Sequence, residues 1–459
     1  MLSLFKKLLS ESTENTKDIT YDIYRTCFKC RNLSYVNKAW LCYSCSTAIL
    51  LIDSGNKYID NLIKQILLSG IKISNNTEYS SFVHRVPFLD WIPYEKFSDV
   101  EYLKESDFSQ NFRATWNIKQ LNNNQLTKRV ILKVLYDSRN VDKKFLKELN
   151  LASWFKIVSV TRCHGITRNP ITKNYAFILD YAPDNLYHFI SKNFKELTWR
   201  CKFKCLIHII HGLWSIHDNK IIYQNLNSSN ILIYNYNNDY NKKVLFFDLR
   251  FCKPANINLI PSGKSQIYGV IPYMAPEIFK GWEYSCKSDV YSLGMIMWEL
   301  TTGHRPFHDQ EHGPKLISEI LNGKRPEITK DTPEFWADLM KRCWHSNPFK
   351  RPSIEEICYS LRGTDFWLTT DVYVEIFDPR EYNTWYNNHP MFRKAEYKRK
   401  EMIKSNKPFV KYPGHEHPNT RYYSISLNYM IKSLSKSLLS AGQAVDILPE
   451  IGYGNHTPF

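Results

Sequence analysis

Gly269-Val-Ile-Pro-Tyr-Met-Ala-Pro-Glu277, then Lys287-Ser-Asp-Val-Tyr-Ser-Leu-Gly294, then Arg342-Cys-Trp344 with Asn347-Pro-Phe-Lys-Arg-Pro352, is the stretch of this 459-residue sequence that decides its fold. Three phrases in that order and at that spacing do not arise by chance. Around them the composition is ordinary: 43% hydrophobic and 23% charged side chains suffice for one large core plus a small appended module. No apolar run exceeds five residues; Ala48 to Ile52, ended by Asp53, falls far short of the roughly 20 residues a spanning helix needs. Lys6 and Lys7 interrupt the only apolar N-terminus, so neither a membrane span nor a secretory signal is expected.

The three phrases resemble the end of the activation segment, the central F helix and the closing helices of protein kinases. Within them, Glu277 and Arg351 suit a buried, charge-assisted pair that braces the lobe, and Asp289, at a helix start, can hold the backbone amides of the catalytic loop. Trp298-Glu-Leu-Thr-Thr-Gly303 and Arg342-Cys-Trp344 lie nearest the tyrosine-kinase-like group. Upstream, Val130-Ile-Leu-Lys133 resembles the strand carrying the ATP-binding lysine, and Phe145-Leu-Lys-Glu148 the helix that supplies its glutamate partner. Leu179-Asp180-Tyr-Ala182 resembles the gatekeeper and hinge, with Leu179 as gatekeeper. The resemblance implies an α+β, bilobal protein kinase fold over about residues 94–362, with a small antiparallel-sheet N-lobe and a mainly helical C-lobe. It also implies ATP and magnesium, with Lys133, Glu148, Leu179, Asp180, Asn230 and Asp248 as the positions that would hold them.

The chemistry-bearing positions then depart from the family pattern. The nucleotide-loop glycines, needed so that backbone can fold over phosphates, match Lys104, Ser106 and Ser109, while Glu105 and Asp107 add negative charge there. Asn111 replaces the following valine, and Ile131 the small alanine of the adenine pocket, where a branched side chain costs about 1–3 kcal/mol. In Ile222-Tyr-Gln-Asn-Leu-Asn-Ser-Ser-Asn-Ile-Leu232, Tyr223, Gln224 and Asn225 occupy the His-Arg-Asp positions and only Asn230 is kept. An amide has no basic site, so Asn225 in place of the catalytic Asp predicts a loss on the order of 10²–10⁴-fold. Gln224 removes the arginine that would read phosphorylation at Ser262, Ser265 or Tyr268. Asp248-Leu249-Arg250 replaces Asp-Phe-Gly; Asp248 could ligate magnesium with Asn230, but Arg250 can pair with it instead. Leu249 and Tyr223 stay apolar enough to stack above Asp289.

Outside this region, Cys27-Phe-Lys-Cys30 and Cys42-Tyr-Ser-Cys45 are two C-x-x-C pairs eleven residues apart, the spacing of a zinc-ribbon-like module over residues 21–50. Metal binding would supply the core energy that so short a segment lacks, and a hairpin or loop between the pairs would bring them together. The remaining seven of eleven cysteines are scattered, which fits a reducing compartment, cytoplasmic first and nuclear second. Residues 1–20 form a flexible lead and 51–93 a helical linker, with apolar residues at Ile59, Leu62, Ile63, Ile66 and Leu67 in helical spacing. Residues 363–459 form a basic, aromatic tail, partly disordered from about Ser424 onward, with a short helix around Tyr429 to Leu439. The net charge of +16 is spread along the chain, so a solvated surface outweighs nucleic-acid binding, including for Arg393 to Glu401.

The chain therefore reads as a pseudokinase acting in signalling as a scaffold or allosteric partner of other proteins, with weakened or absent ATP binding. Two rival readings stand beside it. One is a weakly active Ser/Thr or Tyr kinase in which Asn225 orients the acceptor; the other is a nucleic-acid adaptor working through the cysteine module and tail.

Overall fold

The computed structural model describes residues 23–26, 33–36, 52–64, 89–106, 109–119, 125–141, 159–235, 242–247, 252–255, 267–362, 390–406 and 416–440. The chain divides into two compact units, one of residues 1–156 and 162–181, the other of 157–161 and 182–459. Among the described residues no helix is long and apolar enough to cross a membrane.

The first unit begins with a hairpin of β1 (Ile23–Thr26) and β2 (Leu33–Val36), paired antiparallel from Ile23 with Val36 to Thr26 with Leu33. Its main element is a six-stranded sheet made of β3 (Asp90–Trp91), β4 (Phe97–Ser106), β5 (Ser109–Lys119), β6 (Gln125–Leu135), β7 (Cys163–Arg168) and β8 (Tyr175–Asp180), ordered β3-β7-β8-β6-β5-β4. Only β3 and β7 run parallel. Because side chains alternate between faces of a strand, the register sorts the sequence. Phe97, Ala114, Val130, Leu132, Val134 and Ile178 fill the hydrophobic core on one face. A helical segment over residues 57–64 buries Ile59 and Ile63, one turn apart. It is tied to this unit by Asn56 Nδ2, which donates to the Val141 carbonyl at 2.9 Å, and by the Tyr175 hydroxyl, which donates to the Ser54 carbonyl.

The second unit is mainly helical. In chain order it contains β9 (Asp184–Asn185), α1 (Leu186–Asn193), α2 (Trp199–Asp218), β10 (Ile221–Ile222), β11 (Ile231–Asn235), β12 (Lys242–Phe246), β13 (Lys253–Pro254) and β14 (Tyr268–Gly269). Then come α3 (Pro276–Phe279), α4 (Cys286–Thr302), α5 (Pro314–Leu321), α6 (Glu334–Cys343), α7 (Ile354–Arg362), α8 (Pro390–Lys404), β15 (Ile425–Ser426) and α9 (Asn428–Ser440). Helix α4 starts on a capping box between Ser285 and Ser288 and ends at Gly303, whose φ of 78° is left-handed and favours glycine. It is buried along nearly its whole length, which makes it the axis of the unit. Helix α2 lies against β12 at Gly212, where an added Cβ would stand 2.3 Å from the Phe246 ring. The tail forms more of this unit than its composition suggests. Phe392 of α8 packs on Phe203 with ring centroids 5.1 Å apart, and Glu396 accepts from the Trp199 amide at 2.9 Å, placing a carboxylate at the N-terminus of α2.

Glu277 and Arg351 form the brace that the sequence suggests: both guanidinium end nitrogens donate to the carboxylate at 2.6 Å, and both side chains are buried. Arg351 also donates to the His345 carbonyl at 2.7 Å and the Lys287 carbonyl at 3.0 Å, so the charge is fully used. Replacing one member strands the other in a dry interior. Arg351→Leu is expected to destabilise the second unit by about 3–5 kcal/mol, read as a lower urea midpoint with an unchanged slope.

Candidate functional site

In the first unit, cross-strand neighbours place Asn111 opposite Lys133 and Lys133 opposite Phe177; two residues along, Arg113 faces Ile131 and Ile131 faces Leu179. These rows share the face turned away from the apolar core. Lys133 is 1% exposed, so its ammonium is held off water. Asn111 and Ile131 are buried in the same rows, so the two replacements foreseen at the valine and alanine positions stand directly beside the lysine and gatekeeper positions. The Asn111 side-chain oxygen has no hydrogen-bond partner among the described residues. Strands β4 and β5 stay paired up to Ser106 with Ser109, and the Glu105 carboxylate accepts from the Tyr136 hydroxyl at 3.1 Å. Side chains at every glycine position, a carboxylate beside them and a polar side chain buried in the valine position do not fit a glycine-type phosphate cradle.

The hinge position is anchored in a way the sequence reading did not foresee. Asp180 takes Lys128 at 2.6 Å and His164 at 2.7 Å, and its amide donates to the Arg162 carbonyl at 3.1 Å. Burial alone would raise the Asp180 pKa, but these two partners hold it well below the ordinary carboxylate range.

In the second unit, the loop after β10 is organised by one carboxylate. Asp289 Oδ2 accepts from the Tyr223 amide at 2.8 Å and from His217 Nε2 at 2.9 Å, while Oδ1 accepts from the Gln224 amide at 2.8 Å. The two amides are those expected. His217, in the last turn of α2, is the member that motif reading missed; its only sequence signal is a histidine at the end of the helix that leads into the loop. Burial would lower its pKa, but the Asp289 hydrogen bond, aided by Cys286, pushes it up to about 9, so the imidazolium balances the carboxylate. Gln224 adopts a left-handed φ of 68°, held by that grip on the amides. Tyr223 is fully buried, packs edge-on against Phe246 and donates its hydroxyl to the Phe247 carbonyl. The position normally held by histidine is therefore filled and hydrogen-bonded.

Asn225 is buried, and its carbonyl accepts from the side chains of Asn227 and Asn230, each at 3.0 Å. Its side-chain oxygen accepts from the Ser424 hydroxyl at 2.9 Å and from Asn227 Nδ2 at 3.3 Å. Ser424 belongs to the tail, and nothing in the motifs points to it. Beneath the loop, the Tyr273 hydroxyl donates to Glu299 at 2.7 Å and lies 3.2 Å from the Ser228 hydroxyl. Burial pushes the Glu299 carboxyl up to about 7 against the lowering effect of these hydroxyls and of Arg305.

Glu148, Asp248, Leu249 and Arg250 lie outside the described residues, as do Cys27, Cys30, Cys42 and Cys45. In sequence, Cys27 and Cys30 fall in the six residues joining β1 to β2, and β2 falls between the two cysteine pairs. Among the described residues there is no group of three or more His, Cys, Asp or Glu able to hold a metal ion.

A mainly antiparallel sheet with a buried strand lysine, joined in sequence to a helical unit whose loop is held by an aspartate at the start of its buried central helix, has the features of a protein kinase domain. Residues 90–361, more than half of the chain, match the family described as protein tyrosine and serine/threonine kinase, and the chain belongs to that family. A probable serine/threonine-protein kinase of Dictyostelium discoideum is 28% identical to it, covering 52% of this chain and 13% of that protein. Stress-activated protein kinase alpha of the same organism is 29% identical over 50% of this chain and 37% of its own length. A protein of Acanthamoeba polyphaga mimivirus named as a serine/threonine-protein kinase/receptor is 34% identical over 41% of this chain and 11% of its own length. The matches thus span well under two thirds of each of these relatives.

Two buried groups make stability fall with rising pH. The Glu299 carboxyl is raised from 4.5 to about 7, so its contribution is full below 4.5 and lost through 7. His217 is raised from 6.5 to about 9, so its contribution is full below 6.5 and lost through 9. These two declines are superposed on the opposite trend of the buried Lys202 ammonium, whose pKa burial lowers to about 7, so in thermal unfolding from about pH 5 to about pH 10 they are read as differences between wild type and variant. Glu299→Gln should flatten the lower limb and His217→Gln the upper one.

Proposed function

We propose that this chain is a pseudokinase of the tyrosine-kinase-like type: a kinase fold that keeps its loop architecture and its place for an acceptor hydroxyl but does not transfer phosphate, and that works as a scaffold or allosteric partner in signalling. The observation that carries this reading is the pairing at Asn225, whose side-chain oxygen accepts from a serine hydroxyl at 2.9 Å. An amide in that place can orient a hydroxyl, but it cannot take up the proton as the carboxylate of an active kinase does. Asn111 and Ile131 in the rows of Lys133 and Leu179 add support by filling space an adenine nucleotide would need. The family resemblance would assign ATP to Lys133, Leu179 and Asp180 in the first unit, and magnesium to Asn230 and Asp248 in the sequence of the second.

The test is labelled phosphate transfer from ATP with magnesium or manganese, run beside thermal shift on the same sample. The expected result is no transfer above the level of Lys133→Met and a shift small or absent. Transfer abolished by Lys133→Met would restore the active-kinase reading, which the orienting geometry at Asn225 also accommodates.

The cysteine pairs are proposed to hold one structural zinc. What supports this is the sequence: two C-x-x-C pairs eleven residues apart, the spacing at which each pair can present two thiolates to one ion. Purified protein should carry about one zinc per chain, measured by atomic absorption. Chelation should unfold residues 21–50 while leaving the kinase domain's unfolding transition in place; a metal-free protein with unchanged folding would end the idea.

A further inference from the structure

We infer that the segment Glu416–Asn428 is an intramolecular ligand of the second unit, turning at residues 417–420 beside the α4–α5 connection and then pairing with the activation-segment end at β14, with Ser424 in the place of an acceptor hydroxyl, and that this groove accepts a partner segment of the same pattern when the tail leaves. The reading of Asn225 as the acceptor-orienting position is the one part of the previous section on which this rests.

The contacts follow one another along the chain. Glu416 makes two hydrogen bonds to Arg305 Nη2, at 2.8 and 2.9 Å, and the Arg305 guanidinium lies over the rings of Tyr187 and Tyr422, with centroids at 4.0 and 3.7 Å. The His417 amide donates to the His308 carbonyl at 2.8 Å. His312 Nε2 donates to the Phe307 carbonyl at 3.0 Å, leaving Nδ1 to accept from the Arg421 amide at 3.0 Å. Tyr422 is buried, donates its hydroxyl to the Pro306 carbonyl at 3.0 Å and meets His312 edge-on. Ser424 reaches Asn225, and β15 then pairs antiparallel with β14, Gly269 with Ile425 and Tyr268 with Ser426. The Leu427 amide donates to the Ile267 carbonyl at 2.9 Å, and Asn428 returns a side-chain acceptor to the Ile267 amide at 2.7 Å. Leu427 is fully buried, and α9 then carries Ile431 and Leu434 inward beside α5.

Three features separate this from a tail resting on a surface. Main-chain pairing is the mode by which extended peptides are recognised at strand edges, and it is specific to direction and register. Tyr422 and Leu427 fill buried positions on either side of Ser424, so anchors set which hydroxyl reaches Asn225. That hydroxyl meets the one residue of the loop whose family counterpart handles the acceptor proton. The recognised pattern is aromatic, any, serine, aliphatic, any, aliphatic, as in Tyr422-Tyr-Ser-Ile-Ser-Leu427. Tethering gives the tail an effective concentration in the millimolar range for a short linker, so it outcompetes a free segment until its anchors are broken.

The experiment uses the full chain and a fluorescein-labelled synthetic peptide of residues 419–431, with no ATP present. Hydrogen exchange first reports the state of the tail. Leu427→Asp should speed exchange at 421–431 and at 267–269 while α2 and α4 stay protected. On that variant the peptide should bind at least tenfold more tightly than on the wild type, and peptide with Ser424→Ala together with Tyr422→Ala should lose that gain. If α2 and α4 exchange faster as well, Glu416→Lys, which changes a half-exposed side chain, replaces Leu427→Asp. A released tail with no peptide binding overturns the proposal, and so does a tail whose exchange neither variant alters. Phosphate transfer detected in the earlier assay would sink the pseudokinase reading and leave this one standing, because peptide binding is read without nucleotide.

Discussion

The Asp289 carboxylate is the constraint on which the rest of the second unit depends. It sits at the buried start of α4 and divides its two oxygens among two loop amides and the His217 imidazolium. An ion in a dry interior persists only when its charge is balanced and its lone pairs are used. Here the balance comes from a histidine held cationic, and the remaining lone pairs fix the backbone of Tyr223 and Gln224. Once those two residues are set, Asn225 is delivered to a fixed point and the Asn227 and Asn230 side chains can close on its carbonyl. The loop is therefore well built around Asn225.

The fold-bracing groups, Asp289 and the Glu277–Arg351 pair, retain the family's residue types and full hydrogen bonding. Among the departures from the family pattern, Asn111 and Ile131 in the first unit and Asn225 in the second are buried. Buried substitutions must be accommodated by packing, and the hydrophobic core around these strands is complete. The tail is part of the same unit, since α8 sets Glu396 at the start of α2 and the Ser424 hydroxyl donates to Asn225.

The sequence by itself determined a good deal. The ordered motifs gave the kinase domain, the pairing of Glu277 with Arg351 and the aspartate that holds the loop amides, because these rest on residue types that have one physical use in one place. Val130-Ile-Leu-Lys133 was legible as a strand, and the helix foreseen near Tyr429 to Leu439 is found at Asn428–Ser440. Short-range periodicity and turn chemistry are properties of neighbouring residues, so they can be read in a line of text.

Only the tertiary structure decided the rest, and the reason is distance along the chain. Ser424 and Asn225 are 199 residues apart, and Trp199 and Glu396 are 197 apart; no local pattern links them. Polar tail residues that looked unable to order themselves are ordered by main-chain pairing to β14 and by buried anchors at Tyr422 and Leu427. The charge of His217 and the raised carboxyl of Glu299 likewise follow from burial and from partners contributed by other elements. Composition sets which groups can ionise, but the surrounding dielectric and the nearest opposite charge set whether they do.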